Sequence, residues 1–335
     1  PVLVLKVIGP DLDGDLWAEP AQWEEGTPPR ILLTTSPKHT APGAGNRVLA
    51  RLTDPDLADW IDGEVSFPNC MVDRITPATT DADRDVVREQ FGIEDRWPVP
   101  AEPFTQWIVE DHFPLGRPPL ERADVQFVED VKPYELMKLR LLNASHQALA
   151  YFAAPLGHEL VDEAMDDERI RAYLLRYMSD EAAPTLGELP GIDLEAYIAA
   201  LLERFSNPHM RDTLVRLATD GSNRMATFTL PTIRDNLAAG RSIELGAAMV
   251  AAWAEYWALI GRGRFDAARI PADVHADALK TAALDDRPEA FVELEDVFGD
   301  LGDDTRFTET YVWARADLAT TGVHGVLDRL LLSGA

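Results

Sequence analysis

Only one cysteine, Cys70, occurs in 335 residues. That excludes an internal disulfide and any cysteine cluster for metal, and it fits a reducing compartment. Histidine is scarce as well, with seven in all. His39, His112, His158, His209, His275 and His324 are scattered without ligand spacing, so no metal site is expected. Positive charge is outnumbered, 31 Lys and Arg against 58 Asp and Glu, a formal net charge of −27. Such a surface repels polyanions, which argues against nucleic acid or an anionic membrane as partner. It leaves a small substrate open, because a site can be locally basic. No apolar run approaches the roughly 18 residues of a membrane span. The opening "PVLVLKVIG" lacks the basic lead and small-residue cleavage site of a secretory signal, so the cytoplasm is the expected location. Internal repeats and low-complexity segments are absent too.

What is present is enough apolar matter for a full core, 46% of the chain. Residues 1–46 stand apart: one strand candidate, "VLVLKVI", and dense turn residues. "PGAGNR" lacks the third glycine of a dinucleotide phosphate loop, and no buried strand precedes it. From Val48 the pattern is more regular. "RVLARLTDPDLADWI" reads as helix with a break at Pro55, and "EVSFPN" as a short strand. Residues 94–122 are rich in proline and are expected to be irregular, with at most the short helix "FTQWIVEDHF". From Pro133 onward helices dominate. "IDLEAYIAALLERF" aligns Leu194, Ile198, Leu201, Leu202 and Phe205 on one stripe behind an Asp193 N-cap. "SIELGAAMVAAWAEYWALIG" is apolar around most of its circumference and is expected to be a central buried helix. Further helices are expected over 273–284, 289–299, 307–320 and 322–333.

One stretch does not read as simple packing. "MKLRLLNASHQA", Met137 to Ala148, sets Lys138, Asn143 and His146 among apolar residues. At about 100° per residue, with Lys138 at zero, Glu135 falls near +60°, His146 near +80° and Asn143 near +140°. The four share one arc, as the wall of a polar pocket would. A partly desolvated lysine is a general base near neutral pH, an amide donates to a developing alkoxide, and an imidazole orients a hydroxyl. Together they suit alcohol–ketone interconversion. The same spacing also fits a helix whose lysine and glutamate simply pair at the surface. "VDRITP" offers an Asp–Arg pair after a strand, which a merely structural ion pair would equally explain. "RLATDGSNR" holds Arg216 and Arg224 about a turn, suited to a polyhydroxy or carboxylate ligand or merely to a helix C-terminus.

Taken together, "VSFPNCMVDRITP", "EPFTQWIVEDHF", "VKPYELMKLRLLNASH", "PGIDLEAY", "RFSN", "TDGSNR" and "LPTI" resemble, in order, the motifs of the mannitol dehydrogenase family, the long-chain polyol and uronate dehydrogenases. The resemblance covers about residue 47 to the C-terminus. It implies a metal-independent oxidoreductase using NAD or NADP, with a small polyol or sugar acid as its partner; the oligomeric state is open, with a monomer favoured. It implies Lys138 as general base, with Asn143 and His146 polarising and orienting the reacting oxygen. Glu135 matches a glutamate linked to proton exchange with solvent. Asp73 matches an aspartate near nicotinamide and substrate, and Arg216 an arginine on the substrate. Arg224 stands where the family has a lysine, which places the outer substrate site in question because a forked guanidinium is not an ammonium.

The implied fold is an α/β remnant of a Rossmann-type nucleotide domain followed by a mostly α-helical substrate domain. The expected boundaries are a divergent segment 1–46, the trailing part of the nucleotide domain 47–129, and the helical domain 130–335. The family's glycine-rich phosphate loop and a strand-end asparagine are not found in residues 1–46. The cofactor site is therefore expected to be largely missing from this chain, with weak binding of NAD(H). Mannitol–fructose interconversion is the leading functional expectation. Fructuronate reduction is the main alternative, and a catalytically inactive remnant or binding protein stands as a third.

Overall fold

The computed structural model describes residues 4–7, 32–35 and 55–332. The "PGAGNR" segment and the expected helix over 47–54 lie outside them. The chain divides into two compact units, one of residues 1–72 and 106–131, the other of residues 73–105 and 132–335. Residues 73–105 thus group with the helices, although the sequence boundaries assign them to the nucleotide domain.

In the first unit β1 (Val4–Val7) and β2 (Leu32–Thr35) pair in parallel, Val4 opposite Leu32. Helix α1 (Pro55–Glu64) begins on Pro55, whose fixed φ and missing N–H suit a first turn. A second sheet has the order β3 (Cys70–Asp73), β4 (Gln106–Glu110), β5 (Gln126–Val128), with β4 and β5 parallel.

Two sequence expectations are corrected here. "EVSFPN" is not a strand; the ladder starts after it, at Cys70. Pro68 has no N–H to donate, so pairing begins downstream of it. "FTQWIVEDHF" is not a helix but contains β4. Its Trp–Ile–Val run favours a pleated, half-buried surface, and Ile108 and Val109 are both buried. Pro103 and Pro114 bracket a span too short for a stable helix.

The second unit opens with α2 (Asp81–Phe91), which Thr80 and Asp83 close with a reciprocal capping box and Gly92 ends at φ 67°. After residue 131 come α3 (Lys132–Met137), a π-helical turn (Lys138–Asn143) and α4 (Ala144–Ala153). Pro133 sits in the first turn of α3, as expected. Every residue of α4 except His146 is buried. The chain continues through α5 (Val161–Met165), α6 (Glu168–Arg176) and a second π-helical turn (Tyr177–Ala182). Helix α7 (Leu194–Phe205) starts where expected, with the Asp193 carboxylate accepting the Ala196 N–H at 3.0 Å. Its stripe of Ile198, Leu201, Leu202 and Phe205 is buried. Helices α8 (Leu214–Ala218), α9 (Gly221–Phe228) and α10 (Leu230–Ala238) follow.

The core is built on α11 (Glu244–Gly261), in which Trp253, Tyr256 and Trp257 are almost wholly enclosed. Helices α12 (Ala276–Ala283) and α14 (Thr305–Leu332) pack on it, with the short α13 (Glu295–Phe298) between them in sequence. Gly322, at φ 71° and ψ −177°, breaks α14 near the point where the sequence separates two helices.

A helix buried at its first turn needs partners for its free N–H groups. Here they come from the second π turn. Glu181, 1% exposed, accepts the Leu245 N–H on Oε1 and the Gly246 N–H on Oε2, each at 2.8 Å. Gly246 keeps this approach open, since a Cβ there would lie 2.8 Å from Ile233 Cγ1 and 3.3 Å from Glu181 Oε2. Glu181→Ala is expected to cost about 2–4 kcal/mol by stranding these donors. A urea unfolding midpoint that stays within experimental error of wild type would show that α11 does not depend on this cap.

Candidate functional site

The π turn decides where the polar residues of "MKLRLLNASHQA" point. The Ala144 N–H donates to the Leu139 carbonyl, an i→i−5 bond. Such bonding winds the chain by roughly 82° per residue rather than 100°. Over the five steps from Lys138, Asn143 moves from about +140° to about +50°. His146, three α-helical steps further on, moves from about +80° to about −10°. The arc derived for a straight helix is thereby corrected: the inserted residue brings Asn143 and His146 toward the meridian of Lys138.

All three residues are half-buried on a helix that is otherwise packed. Burial pushes the Lys138 ammonium below the ordinary lysine range. The Asp73 carboxylate opposes that shift and the Arg204 guanidinium adds to it. Asp73 is 1% exposed at the end of β3. Its Oδ1 accepts from Arg204 Nη2 at 2.9 Å. Its Oδ2 accepts from Arg204 Nη1 at 2.9 Å and from the Tyr197 hydroxyl at 3.0 Å. Glu102, also buried, receives Arg204 Nε at 2.9 Å, Arg204 Nη2 at 2.7 Å and the Ile75 N–H at 2.6 Å. Burial alone would lower the basicity of Arg204, but these two carboxylates hold it above the usual value. The guanidinium also lies 3.9 Å from the centre of the Phe104 ring. Asp73 is therefore held in a closed ionic network while its charge acts on Lys138.

His146 packs its ring 4.8 Å from that of Phe205. Burial, then Arg216, Arg224, Arg204 and Lys138 in turn, holds the imidazole well below its usual range, so it is neutral at pH 7. It faces a small cleft that it shares with Arg204, Asn207, Asp162 and Asp212. Arg216 forms a two-pronged pair with Asp212, its Nε lying 2.5 Å from Oδ1. Arg224 donates through Nη1 to the carbonyls of Leu217 at 2.9 Å and Arg216 at 3.2 Å. Burial and the neighbouring Arg216 both press its basicity down. Glu135 pairs with Lys132 at 2.9 Å in an exposed bridge. Lys138, Asp73, His146, Arg216 and Arg224 thus form one electrostatic neighbourhood, whereas Lys138 and Asn143 do not line the His146 cleft. Among the described residues no three His, Cys, Asp or Glu side chains gather as metal ligands.

Residues 130–318 match the model of the mannitol dehydrogenase C-terminal domain, and residues 42–122 that of the mannitol dehydrogenase Rossmann domain. The chain belongs to the mannitol dehydrogenase family. Mannitol 2-dehydrogenase of Aspergillus fumigatus is 38% identical over 287 residues, covering 84% of this chain and 57% of that protein. Mannitol dehydrogenase 2 of Saccharomyces cerevisiae is 45% identical over 204 residues, 61% of this chain and 41% of its own length. Among solved structures, Pseudomonas fluorescens mannitol 2-dehydrogenase, in a ternary complex with NAD and D-mannitol, superposes with a TM-score of 0.75. It is 39% identical, and the match covers 86% of this chain and 59% of that one. A substrate-free D-sorbitol dehydrogenase gives a TM-score of 0.73 at 33% identity, over 83% of this chain and 57% of its own. The chain thus spans about half the length of the curated relatives it matches.

Membership in the mannitol dehydrogenase family ties together motifs that carry no role by themselves. Glu102, Tyr197 and Arg204 lie in "EPFTQW", "PGIDLEAY" and "RFSN". Reading these motifs singly does not identify the three as one network, because Tyr197 and Arg204 are 124 and 131 positions from Asp73. No local periodicity reports such a pairing. Their one signal is collinear occurrence with the Lys138 motif.

Proposed function

We propose that this chain handles the reacting oxygen and its proton in an NAD-linked polyol oxidoreductase that interconverts a hexitol such as D-mannitol and its 2-keto sugar. The observation that carries the reading is Lys138, a half-buried amine of lowered basicity set by a π turn beside Asn143 and His146. A general base must sit within reach of the hydroxyl and be partly unprotonated near working pH. Lys138 takes the hydroxyl proton as the alcohol is oxidised and returns it in the reverse direction. The Asn143 amide, which makes no hydrogen bond to described side chains or backbone, is left to donate to the oxygen as negative charge develops. Neutral His146 orients the hydroxyl without adding another cation. Asp73 tunes Lys138 through space while Arg204 and Tyr197 hold its carboxylate still.

A dinucleotide pyrophosphate needs a strand that runs through a glycine turn into a helix N-terminus. The described link between β3 and α2, residues 74–80, contains no glycine. That link does not supply such a turn, and the steps above are confined to the polyol oxygen and its proton. A ketouronate is the second reading of the substrate. It is favoured by Arg216 and Arg224 flanking His146 in a chain whose net charge is −27.

Steady-state assays would pair NAD or NADP with hexitols, and NADH or NADPH with ketohexoses and ketouronates. Ligand-observed NMR of the same sugars, with and without cofactor, reports binding apart from turnover. Turnover of a hexitol and its ketose, or saturable binding of either that Lys138→Ala leaves in place, is the expected result. Neither turnover nor binding across the panel, with a native circular dichroism spectrum, would overturn the reading.

A further inference from the structure

One residue that lines the cleft beside His146 carries an unmatched atom. Asp162, in the first turn of α5, has its Oδ1 closed off from solvent with no hydrogen-bond partner. A buried carboxylate oxygen with no donor is costly, and such atoms are commonly served by an internal water that needs two to four polar partners. The cleft provides them. Asn207 spends its Oδ1 on the His209 N–H at 3.1 Å, which leaves its amide hydrogens available. Both oxygens of Asp212 are already taken by Arg216. The His146 ring makes no hydrogen bond to any described residue and packs in a tilted arrangement against the Phe205 ring. Phe205 and Met210 are among the apolar walls that keep the space from opening wide.

We propose that Asp162 is a positioning residue for His146: a water held on Asp162 Oδ1 in their shared cleft fixes which imidazole nitrogen carries the proton. The water donates one hydrogen to the carboxylate oxygen and accepts the N–H of the cleft-facing ring nitrogen, with the Asn207 amide as a further donor. The opposite nitrogen is then a lone-pair acceptor. This is the arrangement by which a carboxylate orients an imidazole through its far nitrogen. The surrounding charges do not compete for the role. Burial, with Arg216, Arg224, Arg204 and Lys138 adding to it, keeps the ring neutral, and neither Asp212 nor Asp73 has an oxygen without a hydrogen-bond donor. A neutral ring is what makes the tautomer matter, because an imidazolium donates from both sides. The role of the acceptor nitrogen, orienting the substrate hydroxyl, rests on the polyol reading above; the tautomer itself does not.

The test is a long-range proton–nitrogen NMR spectrum of the full chain labelled with nitrogen-15 at histidine. Seven histidines make the spectrum tractable, with His146→Gln as the assignment control. Wild type is expected to show His146 as one neutral tautomer between about pH 6 and 8. Asp162→Asn, which can offer an amide hydrogen where the carboxylate only accepts, is expected to shift the tautomer ratio by about five- to tenfold, the worth of one hydrogen bond. Asp162→Ser is the second variant if the first does not fold. His146 nitrogen shifts that are unchanged in a folded variant would overturn the proposal, as would a wild-type ring that already populates both tautomers equally. Because the spectrum is recorded without ligand, a positive result alongside failed sugar assays would sink the polyol reading and leave this one standing.

Discussion

Lys138→Ala is expected to lower turnover by about 10²–10⁴ while leaving sugar binding close to wild type, because a general base acts on the transition state rather than on the bound ground state. Lys138→Arg should not restore the rate: a guanidinium stays protonated throughout the working range and cannot accept the hydroxyl proton. The pH dependence follows from the lowered basicity of Lys138. Alcohol oxidation needs the free amine, so its rate should rise with pH and level off above the pKa of Lys138, below the ordinary lysine range. Ketone reduction needs the ammonium, so its rate should fall across the same interval. Arg204 helps to lower that pKa and Asp73 raises it. A rate–pH profile identical in wild type and in Lys138→Ala would remove Lys138 from the base role.

The helical half of the fold is legible because its signals are local. Asp193 capping α7, Pro133 in the first turn of α3 and the all-round apolar sequence of α11 each report on residues within a few turns. The strands are less so. β4 is five residues between prolines, too short for alternation to stand out, and its identity as a strand depends on β3 and β5 beside it. The π turn is hidden for a different reason. Nothing in "KLRLLN" distinguishes an i→i−5 turn from an α turn, since the extra residue is paid for by packing around α4 and not by local preference. Lys138, Asn143 and His146 could therefore be picked out as a set from sequence, but their true alignment could not. The Asp73 network was least legible, because it joins segments more than a hundred positions apart.

That network should also carry the largest single stability effect. Arg204→Met is expected to destabilise the fold by about 3–5 kcal/mol, the usual cost of leaving buried charge without its partner. Arg204 provides four hydrogen bonds, two to Asp73 and two to Glu102, and both carboxylates are almost fully enclosed. Methionine fills much of the volume against Phe104 but leaves two carboxylates facing each other in an apolar setting. Tyr197→Phe should cost only about 1 kcal/mol, since Asp73 keeps both of its Arg204 contacts. The sign of the pH effect separates lost charge pairing from lost packing. In Arg204→Met the deficit should shrink as pH is lowered, because protonation removes the stranded charges from the folded state. A packing defect would show no such relief. Denaturant unfolding of wild type and the two variants at neutral and mildly acidic pH measures both terms. An Arg204→Met deficit no larger than that of Tyr197→Phe, or one that grows on acidification, would mean that Asp73 and Glu102 do not depend on Arg204 for their burial.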